Sequence, residues 1–491
     1  MSTITIHGKS QKKVYDFDGD VNLMDFLREN GYSLNAPCGG LGLCGKCRVT
    51  LKEGGKKERV LACRTVISRD CEVRIPNDDA DLSWNEPLSS HYYEEGRSGF
   101  GAAVDLGTTT VALRLYNLSD GKCVGSASQW NAQKGYGADV ITRIGYCMDN
   151  EDGLSTLCNA IRSQITDMLS ELCTEHDIAL CDVKEIFLAG NTVMQHIFAG
   201  ISPVSIASAP FKPQSYFDDN APFMLGSIPV SISPCVAGYV GGDITAGILS
   251  IGMNSKKGKA LFIDIGTNGE MAVGDSDGIT ACAVASGPAF EGAGISCGMP
   301  AAFGAINKVY ITDDGLGFDV LGGGDAKGIC GSGILDLVAC LLELGYIDES
   351  GYLEENENGE SVFYLTEEVY INQKDIRQLQ LAKAAVAAGI RFLMNAEGLS
   401  FDDLDSLYLA GGFGNRLNPE NAVRIGMLPA QMLGKTRTAG NTSLTGAEMT
   451  LLNPALRNEL IEIKEKCRYI ELSSEADFND CFVDEMSFPE E

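Results

Sequence analysis

Basic residues are scarce. The chain of 491 residues holds 38 Lys and Arg against 67 Asp and Glu, a net charge of −29. A surface that acidic repels phosphate backbones and anionic lipid, so neither nucleic acid nor a membrane surface is expected as a partner. It does not bar nucleotides, which backbone amides and Mg²⁺ can hold. The first twenty residues, MSTITIHGKSQKKVYDFDGD, lack an apolar signal core, so a cytoplasmic protein is expected. Unbroken apolar runs are missing as well. Residues 186–211 and 221–242 contain no Asp, Glu, Lys or Arg, but Pro, Gly, Ser and Asn interrupt both. They read as core and loop, not as membrane spans. Closely spaced cysteines are rare. There are 17 in all, but only one group is tight and the others stand singly, so that group reads as metal-binding in a reducing compartment. Hydrophobic residues make up 44% and charged residues 21%, which argues against disorder as the main state.

What is present divides the chain in three. Residues 1–76 read as a small α/β unit. STITIHG and KKVYDFD form a hairpin, Asn22 caps a helix that stops at Gly31, and short strands follow near 46–51, 59–62 and 71–75. Residues 77–99 are polar and acidic, a linker signal. From 100 to 491 the pattern is α/β with a domain-sized repeat. GAAVDLGTTTVALRLYN at 101 matches KALFIDIGTNGEMAVGD at 259: strand, Asp-x-Gly-Thr, strand. Helices are expected near 139–148, 154–175, 333–345 and 375–397, and an acidic surface loop at 348–360.

Cys38, Cys44 and Cys47 lie in CGGLGLCGKC, and Cys63 follows in VLACRT. Four thiolates from one loop and a nearby strand suit an iron–sulfur cluster. The four glycines among them leave backbone amides free to approach sulfide. A structural zinc also takes four thiolates, but zinc ribbons pair their cysteines on both sides, and here the second side has one. Cys71 has no place in the spacing and reads as a core residue.

Asp-x-Gly-Thr between two strands suits phosphate. The glycine permits a tight turn, amides and the Thr hydroxyl can face the phosphate, and the Asp can hold Mg²⁺. One copy is weak evidence; two, at Asp105 and Asp264, imply one nucleotide in a cleft between two lobes. In LYLAGGFGNRLNPENAVRIG, Gly411, Gly412 and Gly414 leave room for a flat ring, and Asn418 with Pro419 fits a helix start.

Together these segments resemble known families. The first 76 residues resemble β-grasp [2Fe–2S] ferredoxins, with a first gap of five residues between cysteines. The remainder resembles the ASKHA superfamily of acetate and sugar kinases, heat-shock chaperones and actin. Its fold is two ribonuclease-H-like lobes hinged around ATP. The resemblance implies a phosphate-1 motif at Asp105, Gly107, Thr108 and Thr109, a phosphate-2 motif at Asp264, Gly266, Thr267 and Asn268, and an adenosine motif at Gly411, Gly412 and Phe413. It places a water-orienting residue on the helix of GYVGGDITAGILS, where Asp243 is the candidate; the alternative is that Asp243 only caps that helix. Gly331, Ser332 and Gly333 would flank the adenine, or simply start a packed helix.

End to end, the chain resembles reductive activators of corrinoid-dependent methyltransferases. CGGLGLCGKC, DLGTTT, NAQKGYGADVITRI, GNTVMQHIFAGI, IDIGTNGE, SGPAFEGAGISCGMPA, YLAGGFG and GNTSLTGAE carry the resemblance. It implies an ATPase that passes one electron from its [2Fe–2S] cluster to the Co(II) corrinoid of a methyltransferase corrinoid protein, restoring Co(I). An external low-potential donor would refill the cluster. A homodimer is compatible, although the short linker has no room for the small extra domain of longer members. Ser286, Glu291 and Ser296 would face the corrinoid, or make only local hydrogen bonds. Two other readings stay open: an activator of a different low-potential reductase, and a small-molecule kinase with a regulatory ferredoxin.

Overall fold

The structure is a computed structural model. It describes residues 2–7, 12–30, 32, 34, 47–75, 93–219, 221–266, 268–313, 315–414 and 416–490. Cys38, Cys44, Gly31 and Thr267, and most of the expected linker, lie outside the described residues.

The N-terminal unit is a five-stranded mixed sheet. Its strands run in the order Lys12–Phe17, Ser2–His7, Cys71–Arg74, Arg48–Glu53, Lys56–Leu61. Ser2–His7 pairs antiparallel with the first and parallel with the third. Ile4 and Ile6 alternate inward, as a half-buried strand requires. They meet Leu23, Met24 and Leu27 of the helix Leu23–Glu29. That helix starts where expected, because the Asn22 side chain accepts the Met24 N–H at 2.9 Å. One hairpin runs wider than the sequence implies. The Gly54–Gly55 turn lets Glu53 pair with Lys56, so its strands are Arg48–Glu53 and Lys56–Leu61.

Beyond residue 99 there are two six-stranded sheets. The first runs Lys122–Trp130, Thr110–Asn117, Phe100–Leu106, Val183–Gly190, Ile228–Ile232, Phe223–Leu225. The second runs Thr436–Gly440, Leu404–Ala410, Lys259–Ile265, Gly269–Gly274, Ile279–Val284, Cys467–Tyr469. Each has an antiparallel meander of three strands whose first strand also pairs in parallel with a later one. These are two ribonuclease-H-like lobes. The helices Val140–Asp149 and Gly153–Glu175 cover one face of the first sheet. Gly331–Glu343 and Gln373–Ala396 cover one face of the second.

A third core joins the lobes. Ala103, Phe187 and Ala189 of the first sheet and Phe262, Ala272 and Ala281 of the second bury the helices Gly242–Ile251 and Thr442–Leu452 between them. The two helices cross at backbone contact. A Cβ on Gly446 would collide with the Ala246 carbonyl, so no larger residue fits at the crossing. An ion pair is buried beside them, Arg114 Nη1 to Glu448 Oε1 at 2.6 Å.

Residues 348–360 carry no helix and are mostly exposed, as expected. The last part of the expected linker is packed. Glu94 N–H donates to the Leu452 carbonyl, and Arg97 pairs with Glu185 and donates to the Leu451 carbonyl. Residues 93–99 therefore lie against the ATPase body. Among the described residues, no helix is long and apolar enough to cross a membrane.

Candidate nucleotide cleft and cluster cysteines

Cys47 and Cys63 converge. The Cys47 carbonyl accepts the Ala62 N–H at 2.9 Å, which ties the end of the cysteine loop to the 3₁₀ turn Ala62–Arg64. Their sulfurs stand 3.2 Å apart. That is well beyond a disulfide bond of about 2.05 Å. It is near the roughly 3.8 Å separating two thiolates that share a tetrahedral metal at ~2.3 Å. The pair fits half of a four-thiolate site. Cys71 is buried in its strand, and burial pushes its thiol up to about 11. It stays a neutral core residue.

Both Asp-x-Gly-Thr aspartates sit at strand ends facing the interlobe cleft. Asp105 lies opposite Ala112 in the first lobe, and Asp264 opposite Glu270 in the second. The phosphate-1 turn is pinned by its carbonyls. Gly107 O accepts from Asn131 Nδ2 at 2.8 Å, and Thr108 O from the buried Arg143 at 2.5 Å. The segment NAQKGYGADVITRI thus wraps the back of this turn. Burial depresses the Arg143 guanidinium to about 9, partly offset by Asp139 and Glu291 nearby. Thr108 Oγ1 accepts from Asn191 Nδ2 at 2.9 Å. In the phosphate-2 turn, Gly266 N–H donates to the Asn268 carbonyl at 2.9 Å.

Asp105 is held by a helix that follows a strand of the second sheet but packs on the first. Asn441 Nδ2 donates to Oδ2 at 2.8 Å and Ser443 Oγ to Oδ1 at 2.7 Å. Both donors belong to the N-terminal end of the helix Thr442–Leu452. Neither was expected from the sequence.

Asp243 lies in the first turn of the helix Gly242–Ile251, whose N-cap is Gly241 with no side-chain cap bond. Asp243 is not the N-cap, although its Oδ1 accepts the first-turn Ile244 N–H at 2.9 Å. It belongs to a cluster of acids. Burial, then the nearby Asp105 charge, pushes Asp243 up to about 7. Burial, then Asp243 and Asp105, pushes Asp264 up to about 8. Burial raises Asp105 too, against the pull of the Ser443 and Asn441 bonds. Glu270, buried and facing Asp243 and Asp264, lies well above its ordinary value. A cation near them would favour the ionised forms. Oxygen donors suit Mg²⁺, but among the described residues no three acids stand close enough to hold a metal ion by themselves, so phosphate or water would have to complete its shell. The sequence did not single out Glu270; the fold places it opposite Asp264.

The adenosine segment is a strand, the short helical turn Gly411–Gly414, and the helix Pro419–Arg424 capped by Asn418. Gly411, at φ 82°, lies against the Asp264 carboxylate, where a Cβ would collide. Phe413 is buried and stacked on Phe290, so its ring is committed to the core. Gly331, Ser332 and Gly333 are buried as well. A Cβ on Gly331 would strike the Phe290 carbonyl, one on Gly333 the Ile306 carbonyl, and Ser332 Oγ donates to Asn307 O at 2.9 Å. Their geometry is that of the packed helix start. Ser296 is tied to Asp375 and Asn372, a local network. Glu291 meets Thr109 across the cleft, not an outer surface.

The comparisons agree along the whole chain. The family described as "2Fe-2S iron-sulfur cluster binding domain" matches residues 4–68. "RACo middle region" matches 100–256, and "C-terminal domain of RACo the ASKHA domain" matches 258–491. A solved structure titled "Reductive activator for corrinoid,iron-sulfur protein" is 31% identical with TM-score 0.72, covering 100% of this chain and 98% of its own. The corrinoid activation enzyme RamQ of Eubacterium limosum is 29% identical over 94% of this chain and 95% of its own. The [Co(II) methylated amine-specific corrinoid protein] reductase of Methanosarcina barkeri is 24% identical over 79% and 77%. Fold and site define a ferredoxin module joined to a two-lobed ASKHA ATPase. The chain belongs to the family of reductive activators of corrinoid proteins.

Proposed function

We propose that this chain is an ATP-dependent reductive activator that delivers one electron to the Co(II) corrinoid of a methyltransferase corrinoid protein and restores Co(I). The observation that carries the ATP-driven part is the meeting of the two sheets at the phosphate turns. Thr109 of the first donates to Glu291 of the second, and Asp105 of the first lies near enough to Asp264 of the second to raise its proton affinity, so filling the cleft acts on both lobes at once.

Cys47 and Cys63, with Cys38 and Cys44 of the same loop, are the proposed ligands of the [2Fe–2S] cluster. When bound, the cluster supplies a one-electron store. The two turns, Gly107–Thr108–Thr109 and Gly266–Thr267–Asn268, are proposed to receive the phosphates of ATP. Asp105 and Asp264 hold its Mg²⁺ directly or through water. Gly411 and Gly412 give the nucleoside room beside Asp264. Asp243, which raises the proton affinity of Asp264 and has its own raised by Asp105, is proposed to orient the attacking water. The energy is needed because each ~59 mV of uphill one-electron transfer costs about 1.4 kcal/mol. An external low-potential donor refills the module. Among the described residues no cysteine is joined in a disulfide, in keeping with a reducing, cytoplasmic setting.

The test mixes anaerobic protein with its cognate Co(II) corrinoid protein, a low-potential reductant and MgATP. The Co(I) absorption spectrum should appear, and its yield should fall sharply when ATP is omitted. Equal Co(I) with and without ATP would overturn the reading.

A further inference from the structure

The 3₁₀ turn Pro288–Glu291 touches three elements at once. Its Glu291 carboxylate accepts the Thr109 hydroxyl from the opposite lobe, at 3.2 Å to one oxygen and 3.3 Å to the other. Its Phe290 ring stacks on Phe413 in the adenosine segment, centroids 4.4 Å apart and planes at 18°. The Phe290 carbonyl abuts Gly331, where the helix Gly331–Glu343 begins. The turn is flanked by Gly287 and Gly292, both left-handed at φ 74° and 75°. Its position is therefore shared among the phosphate-1 turn, the adenosine segment and a core helix.

A threonine hydroxyl carries one proton, so it donates fully to one acceptor at a time. At Thr109 that acceptor is Glu291. A γ-phosphate seated on the phosphate-1 turn would compete for the same proton. It would also bring negative charge to the carboxylate, and like charges at hydrogen-bond range repel strongly in a cleft. A diphosphate lacks the competing group.

We propose that Glu291 is a positioning residue that reads the γ-phosphate through Thr109. With ADP or no nucleotide it holds the Thr109 hydroxyl and closes the lobes at this point. A triphosphate takes that hydroxyl and displaces Glu291, and the turn Pro288–Glu291 moves with the loop to Met299. Nucleotide state is thereby passed from the first lobe to the segment SGPAFEGAGISCGMPA of the second. The proposal rests on the ATP reading given above, and its test needs no corrinoid partner.

The full-length chain is titrated calorimetrically with ADP and with a non-hydrolysable ATP analogue, and amide exchange of residues 287–299 is followed in each state. In the wild type, exchange there should rise with the analogue and not with ADP. Glu291→Gln keeps the size and an acceptor but removes the charge. It should bind the analogue about tenfold more tightly, with ADP affinity within about twofold. Glu291→Ala should abolish the exchange difference between the two nucleotides, since no latch remains to release. An equal change in both affinities in Glu291→Gln, or a wild-type exchange difference kept by Glu291→Ala, would overturn the proposal. A wild-type protein that binds neither nucleotide would instead sink the ATP reading itself.

Discussion

The buried pair Arg114–Glu448 should be the strongest single fastening of the helix Thr442–Leu452 to the first sheet. Glu448 is 0% exposed and Arg114 7%, at 2.6 Å. Arg114 lies on the strand Thr110–Asn117, opposite Ala103, and Glu448 on the helix Thr442–Leu452. Removing one partner of such a pair costs about 3–5 kcal/mol, because the other charge stays in a medium that solvates it poorly. Glu448→Gln keeps the shape and removes the charge, so it isolates that cost. Unfolding entropy near 2.1 cal/mol/K per residue gives about 0.8 kcal/mol/K over roughly 390 residues. The expected fall in Tm is then about 4–6 °C, if the lobes unfold together. Lys464→Ala is the control. Its bridge to Asp218 is 2.7 Å long but part-exposed at 23% and 39%, worth under about 1 kcal/mol. Replacing both Arg114 and Glu448 by Met should recover most of the loss, since no charge is then stranded. The helix that carries Glu448 also presents Asn441 and Ser443 to Asp105, so MgATP affinity should weaken in Glu448→Gln alongside Tm. Calorimetric melts with and without nucleotide measure both. A Glu448→Gln melt within about 1 °C of wild type would refute the reasoning.

Cys63→Ser should lose iron, sulfide and visible absorption while keeping its fold, whereas Cys71→Ser should retain all three; iron and sulfide analysis decides. Asp243→Asn should bind MgATP within a few-fold of wild type and hydrolyse it at least ~10²-fold more slowly, measured by phosphate release. Hydrolysis at the wild-type rate would remove its role. Stability without nucleotide should depend on pH in an unusual direction. Asp243 near 7 and Asp264 near 8 lie above the usual carboxylate values, so the folded chain keeps protons that the unfolded chain has released. That contribution is full below the unfolded values near pH 4 and is lost as pH rises toward about 8. Melts in chelator from pH 5 to 8 should show a decline that Asp243→Asn flattens and Mg²⁺ reduces; an unchanged slope in Asp243→Asn would count against it.

Features built from neighbouring residues were legible in the sequence. The two Asp-x-Gly-Thr turns are local, as are the Asn22 and Asn418 caps, and each lies where its own few residues place it. Hairpin limits were less so, because Gly54–Gly55 sets pairing that composition alone does not mark. Contacts between distant parts of the chain were not legible. Asp105 and its two holders are separated by more than 330 residues, as are Arg114 and Glu448. Glycines say less than they suggest. At 331 and 333 they suggest room for a base, and the structure shows that a Cβ there would meet the carbonyls of Phe290 and Ile306. A missing side chain says that something comes close, not what it is.

One signal was in plain view without a meaning attached. The tripeptide Gly-Asn-Thr occurs at 190 and again at 440, each time after a strand of a parallel pair and before a helix. The structure gives both copies the same double task. Asn191 Oδ1 accepts the Met194 N–H at 3.0 Å, and Asn441 Oδ1 accepts the Leu444 N–H at 2.8 Å. Each then turns its amide nitrogen to the phosphate-1 segment, Asn191 to Thr108 and Asn441 to Asp105. Serine, aspartate and asparagine all cap helices, so capping alone leaves the choice open. Aspartate has no proton to give, and serine is too short to cap and reach outward together. Asparagine carries an acceptor and two donors on one planar group. The cap oxygen fixes the plane, and the plane fixes where the nitrogen points. Two helices, one following a strand of the first sheet and one following a strand of the second, thereby aim donors at the same short turn. The second comes from the far half of the chain yet packs on the first sheet, so the orientation of Asp105 depends on the chain's last third being folded back onto its first lobe.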